Sequence, residues 1–213
     1  MVMEIGELKD AVIAGNIAES KSLTEKALGE GIDAGRILNE ALIAGMDKIG
    51  ELFKCNEIYV PEVLLAAKSM QQAMGLLKPH LVKGGIEPRG KVVVGTVRGD
   101  LHDIGKNLVA MMLQGAGFEI IDLGNDVPAE SFVDAAVKHG AEIIGMSALL
   151  TTTMHVMKDT VGLLKEKGLS DRVKTMVGGA PVTAAFAKEI GASGYGDDAA
   201  SAVDLAKQFV GGQ

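Results

Sequence analysis

Between residues 83 and 90 the sequence reads KGGIEPRG, and on either side of it the apolar residues follow different periods. Upstream they recur every three to four residues, the repeat of a helix with one buried face. Downstream they come as short β-branched runs alternating with helical stretches. The two periods predict a helical unit over 1–83, a linker over 84–90 that carries glycines and a proline, and an α/β unit over 91–213.

In the helical part Ile5, Leu8 and Val12 make a first stripe, and Leu23, Ala27 and Leu28 a second. Ile37, Leu38, Ala41, Leu42, Ile49 and Leu52 make a third. After Pro61, placed where proline opens a helix, Leu64, Leu65, Ala67, Met70, Met74 and Leu77 make a fourth. Four amphipathic segments with short connections predict a small helix bundle. In the second part strands are predicted at 91–97, 118–124, 142–148, 173–179 and 193–195. Helices fall between them at 104–115, 129–139, 154–167 and 183–190, and a last one covers 198–209. Strict alternation with right-handed crossovers predicts a doubly wound parallel sheet with helices on both faces.

Composition removes several function classes. The net charge is −7, aromatic residues are 3% of the chain, and neither half is basic, so both the electrostatic footprint and the stacking platforms of nucleic-acid binding are lacking. Cys55 is the single cysteine, which excludes an internal disulfide framework or a multi-cysteine metal site. The start, MVMEIGELKDAV, does not read as a signal peptide, and the apolar runs fall far short of the roughly 20 residues of a membrane span. The expectation is a soluble, cytoplasmic protein without a membrane partner.

In open parallel sheets ligands bind at the carboxyl ends of the strands near the switch point, which singles out the loops after strands 1, 3 and 4. The first reads Arg98-Gly99-Asp100-Leu101-His102-Asp103-Ile104-Gly105-Lys106-Asn107. It is neither a dinucleotide fingerprint nor a P-loop. It offers a histidine flanked by aspartates, and a carboxylate two residues away can fix the tautomer of a metal-bound imidazole and strengthen its donor nitrogen. The alternative is a helix-start loop in which Asp100 or Asp103 caps backbone N–H groups. The second loop runs from Ser147 through Leu149, Thr151 and Thr152 to Thr153, and the third holds Gly178-Gly179-Ala180-Pro181. Taken singly, these read as helix capping and a turn.

Together, Asp100-x-His102-x-x-Gly105, Ser147-x-Leu149 and Gly178-Gly179, separated by 41 and 28 residues, resemble the signature of cobalamin-binding domains. Such domains occur in methionine synthase, B12-dependent mutases and methyltransferase corrinoid proteins. The helical segment ahead of them resembles the cap of methionine synthase and of the small corrinoid proteins serving methylamine, methanol and betaine methyltransferases. The resemblance covers nearly the whole chain and implies a Rossmann-like, flavodoxin-type sheet.

The resemblance also implies a base-off, His-on corrinoid, with the benzimidazole tail displaced from cobalt and threaded into a slot beside the sheet. His102 would be the lower cobalt ligand, Asp100 would accept from its other ring nitrogen, and Thr153 would extend the relay. Ser147, Leu149 and Thr151 would contact the cofactor, while Gly105, Gly178 and Gly179 would let backbone approach the tail. Phe53 and Val60 match the apolar cap positions over the methyl-bearing face, and they fit a bundle core equally well.

The implied activity is that of a methyl carrier in one-carbon metabolism, of the methanogenic or acetogenic kind, not catalytic alone. A substrate-specific methyltransferase would deliver a methyl group from a methylated amine or related compound to Co(I). A second would pass it from methyl-Co(III), the methylcobalamin state, to a thiol or tetrahydrofolate, and a reductive activase would restore Co(I). The cap would move aside for each partner, with 84–90 as hinge. A B12-dependent sensor or regulatory module and a mutase small subunit are the alternatives. No output domain follows for the first, and the extra helical cap argues against the second. A receiver-like phospho-acceptor domain should carry its aspartate after strand 3, where Ser147 stands. His80, His139 and His155 read as surface residues, Met70, Met74, Met111, Met112 and Met157 as core filling, and Cys55 has no assigned role.

Overall fold

The computed structural model describes residues 5–211 and separates into two compact units, residues 5–88 with 115–117, and residues 89–114 with 118–211. The first contains α1 (Ile5–Ile13), α2 (Ile17–Gly29), α3 (Ala34–Ile37), a π-helical turn (Leu38–Ile43), α4 (Ala44–Lys54) and α5 (Val60–Lys83). Because α3, the π turn and α4 follow without a break, these are the four predicted segments. Leu8, Val12, Ile37, Leu42, Ile49, Met70 and Leu77 are buried, as their stripes require.

Two stripes differ from expectation. The buried face of α2 is Ser20, Thr24 and Ala27, with Leu23 and Leu28 only half-buried on its flanks. In α5 it is Val63, Ala66, Ala67, Ser69, Met70, Ala73 and Leu77, while Leu65 is 49% exposed. Small residues replace the expected leucines because the helices pack closely enough for the Ser69 hydroxyl to donate to Ser20 Oγ at 2.6 Å. The Thr24 hydroxyl is satisfied within its own helix by Ser20 O at 2.7 Å. A hydrophobicity scan weights side-chain size and passes over such a seam.

The linker begins as a helix end. Gly85, at φ +67°, takes the left-handed conformation that closes α5: its N–H donates to Val82 O, and that of Ile86 to Leu81 O. Ile86 then packs near Gly35, where a Cβ would meet its Cδ1 at 2.7 Å.

The second unit is a five-stranded parallel sheet in the order β2-β1-β3-β4-β5. The strands are β1 (Lys91–Thr96), β2 (Glu119–Asp122), β3 (Ile143–Ser147), β4 (Lys174–Gly178) and β5 (Gly194–Gly196). Between them run α6 (Ile104–Gly115), α7 (Ala129–His139), a 3-10 turn (Thr151–Thr153) leading into α8 (His155–Glu166), and α9 (Ala184–Ile190). Helix α10 (Ala199–Gly211) follows β5. One sheet face holds a packed core in which Val93, Ile144 and Val177 meet Phe132, Val133, Met157 and Leu164.

Side chains alternate along each strand, so the opposite face is read in cross-strand rows. Register places Val94, Gly145, Met176 and Gly194 in one row and Thr96, Ser147, Gly178 and Gly196 in the next. Four of these eight positions are glycine, and neighbours close in on each: a Cβ would meet Met176 Cε at Gly145, Gly196 O at Gly178, Leu205 Cδ2 at Gly194 and Ala202 Cβ at Gly196, all within 3.3 Å. Among the described residues, no helix is long and apolar enough to cross a membrane.

Candidate functional site

A cavity of about 220 Å³ lies on the face covered by α6 and α10. Gly105, Ser147, Gly178 and Gly179 line it, as do Gly145 and Gly196, which the sequence analysis did not single out. Their signal was present in the strand period, since Gly145 lies two residues before Ser147, and Gly196 joins Ser147's row through Gly178. Lys106 and Asp197 also line the cavity, each already paired. Both Asp122 oxygens accept from Lys106 Nζ, at 2.7 and 2.6 Å, and Asp197 accepts from the Tyr195 hydroxyl at 2.9 Å. That hydrogen bond holds the Tyr195 hydroxyl above its ordinary pKa.

The glycines serve two different ends. At Gly105 a Cβ would meet nothing within 4 Å, so its missing side chain leaves open the cavity wall. Gly179, at φ +120°, would place a Cβ onto the carbonyl oxygen of Ala148, and Gly178 would place one 2.9 Å from Gly196 O. Gly178 and Gly179 line the cavity, but protein backbone already occupies their Cβ positions, so a side chain at either would meet protein first. A Gly179→Val change strains the fold before it tests the slot.

Asp100 is fully buried beyond the end of β1. Its Oδ1 accepts from the His102 N–H at 3.1 Å and lies 2.8 Å from His102 Nδ1. Its Oδ2 accepts from Leu149 N–H at 2.7 Å, Leu150 N–H at 3.1 Å and the Thr153 hydroxyl at 3.2 Å. Burial pushes this carboxyl up. The Leu149 N–H, the His102 ring and N–H, and the Leu150 N–H together outweigh burial and hold it well below the usual carboxylate range. An ionised Asp100 facing Nδ1 selects the tautomer with the proton there, leaving Nε2 as the donor nitrogen on a ring that is 55% exposed. The helix-cap alternative for Asp100 is set aside, because its partners lie in the β3–α8 loop and on His102.

Thr153, 6% exposed, is the third member of this network, and its hydroxyl is also 2.8 Å from Leu150 O. Leu149 stands outside the cavity: its N–H holds Asp100, and its side chain is exposed. Thr151 is exposed in the 3-10 turn and does not line the cavity. Leu101, Ile104 and Leu150 are 70%, 81% and 40% exposed, and with Leu149 they put apolar surface in the His102 loop, at the start of α6 and in the loop after β3. Sequence reasoning passed over Leu101, Ile104 and Leu150, although large apolar residues beside a candidate ligand, in predicted loops or at the first position of a predicted helix, were a usable signal.

These features fit a corrinoid. The open space at Gly105 is a cradle that any side chain would fill, the exposed leucines suit a flat macrocycle, and His102 supplies one supported nitrogen. In the helical unit Phe53 is half-buried and Val60 is 37% exposed, so the bundle does not enclose them. His80, His139, His155 and Cys55 are exposed, and Met70, Met112 and Met157 are buried.

Two family models, each described as a B12 binding domain, match residues 90–204 and 4–78. A corrinoid protein of Desulfitobacterium hafniense (strain Y51) is 42% identical over 99% of this chain and 100% of its own length. Dimethylamine corrinoid protein 3 of Methanosarcina acetivorans is 44% identical over 96% of this chain and 95% of its own. Among solved structures, a chain of the methanol:cobalamin methyltransferase complex of Methanosarcina barkeri superposes with a TM-score of 0.87 at 30% identity, covering 98% of this chain and 80% of that one. The chain belongs to the B12-binding corrinoid proteins of the methylamine and methanol methyltransferase systems.

Proposed function

We propose that this chain is a methyl carrier that holds its corrinoid base-off and His-on, with the nucleotide tail in the cavity between the sheet and α6/α10. The observation that carries the reading is the buried Asp100 carboxyl group 2.8 Å from Nδ1 of an exposed His102, beside a cavity with five glycines in its lining. Bound cobalt supplies a centre that takes a methyl group from one partner and yields it to another, methylcobalamin being the loaded state.

The chain's own residues bind and tune. Asp100 keeps the His102 proton on Nδ1, which strengthens Nε2 as a donor, and Thr153 can pass a proton to or from the carboxylate. Ser147 offers its hydroxyl to the tail, and Gly105 leaves the tail its space. Phe53 and Val60, incompletely enclosed by their bundle, shield the methyl-bearing face. The chemistry of donor and acceptor belongs to partners. These are a substrate-specific methyltransferase, a second one serving a thiol or tetrahydrofolate, and a reductive activase, all in the cytoplasm. The methylated-amine donor follows the dimethylamine corrinoid relative.

The test is methylation of the reconstituted, reduced protein by candidate partner methyltransferases supplied with methylamines, methanol or betaines. Transfer from a methylamine in the presence of its methyltransferase is expected. Corrinoid binding without methylation from any donor would favour a sensor and overturn the carrier reading.

A further inference from the structure

We propose that Asp126, in the loop after β2, is a positioning residue for His102. The inference rests on the reading of His102 as the cobalt ligand, and it comes from how the loop at 97–103 is held. That loop has one turn of its own, closed by the Asp100 N–H on Val97 O at 3.1 Å. The Val97 N–H donates to Ser147 O at 3.0 Å, the Thr96 hydroxyl donates to His102 O at 2.9 Å, Asp100 Oδ2 ties the loop to Leu149, Leu150 and Thr153, and the loop after β2 holds the rest.

Asp126 grips it in both directions. Its Oδ1 accepts from the Gly99 N–H at 2.7 Å, and its own N–H donates to Asp100 O at 3.1 Å. Asn125 Nδ2 donates to Leu101 O at 3.2 Å, so residues 99, 100 and 101 are each held from 125–126 immediately before His102. The reciprocal geometry requires φ +57° at Asp126, a left-handed conformation uncommon outside glycine and one that aspartate and asparagine tolerate best. The bracing loop is itself anchored. Asp122 Oδ1 accepts from the Gly124 N–H at 2.8 Å, and the carboxylate is clamped by Lys106, which is 5% exposed.

The sheet does not need this clasp. The β1–β2 pairing is complete, and the Thr96 N–H to Gly124 O and Val127 N–H to Thr96 O bonds carry it past the strand ends. Asp126 is exposed and outside the core. Its contacts act on the loop that sets the distance from the Asp100 carboxylate to the imidazole, where small displacements matter for ligation.

Three substitutions separate the contributions. Asp126→Asn keeps both the acceptor and the tolerance for positive φ, Asp126→Gly keeps only the φ, and Asp126→Ala keeps neither. The full chain loaded with cob(II)alamin is read by electron paramagnetic resonance, in which one axial nitrogen splits each cobalt line into three. Apo protein is read by thermal melting and by amide exchange at residues 99–103. Asp126→Gly and Asp126→Ala should raise the ratio of His-off to His-on cofactor about two- to ten-fold, the size of one lost hydrogen bond. They should speed exchange at 99–103 by a similar factor, with melting near wild type, and Asp126→Asn should restore both readouts. Wild-type ligation and exchange in Asp126→Gly, or losses that only follow a general fall in melting temperature, would overturn the proposal. If the nitrogen splitting survives His102→Ala, the reading of His102 fails instead, and exchange in the apo variants still decides whether Asp126 holds the loop.

Discussion

Asp100 concentrates most of the site's physics in one side chain. Replacing it with asparagine turns one acceptor oxygen into an NH2 group facing N–H donors that it cannot satisfy, at a cost of about 1–3 kcal/mol in the apo protein. Because the native carboxyl is held well below its ordinary range, the folded chain binds fewer protons there than the unfolded chain, and this stability falls as the solution is acidified. Urea midpoints of wild type and Asp100→Asn should therefore differ by a constant amount from neutral pH down to about 5 and converge below about 4, where the unfolded carboxyl protonates. A gap that stayed constant to strongly acid pH would contradict the assignment. For the cavity, Gly105→Leu is the clean probe: its side chain enters open space, so melting should stay within about 0.5 kcal/mol of wild type while cobalamin uptake is lost. Normal uptake would place the tail elsewhere. The Asp100–His102 pair was legible as sequence because it is local. The distinction between Gly105 and Gly179 was not, since it depends on where Ala148 O lies in space.

At the scale of elements, the strands and helices of the α/β unit were readable to within two or three residues, because buried parallel strands are β-branched runs and glycines or prolines separate them from helices. The helical unit was less legible where packing is tight. The seam between α2 and α5 rests on Ser20, Ala27, Ala66, Ser69 and Ala73, which carry little hydrophobic signal. Removing both partners there should cost less than the sum of removing each. Ser69→Ala leaves Ser20 Oγ without its donor at about 1 kcal/mol, whereas Ser20→Ala combined with Ser69→Ala should cost clearly less than the sum of the single changes. Thermal denaturation of the four proteins checks this, and strict additivity would show that the hydroxyl pair is not coupled. The loop after β2 was overlooked because the switch-point rule points to other strand ends, yet it carries Asp126 and Asn125.

Across the whole molecule, the change of hydrophobic period marks the passage from a helix bundle to an α/β unit, and both halves match B12-binding family models. Residues 84–90 are the proposed hinge, but Gly84 and Gly85 close α5 through N–H bonds to His80 O and Val82 O, so proline there would unmake the helix end. Two glycines inserted after Pro88 test the hinge without that damage. Cofactor content should be unchanged, while methyl transfer with a partner methyltransferase changes rate; unaltered turnover would count against a moving cap. The proposed corrinoid site stands on one bond, from His102 Nε2 to cobalt. Protein grown with 15N-labelled histidine and loaded with cob(II)alamin should change its nitrogen splitting from three lines to two, and lose the splitting altogether in His102→Ala. A three-line pattern unaffected by the label and retained in His102→Ala would mean that the cofactor's own base still holds the cobalt, and would contradict the account.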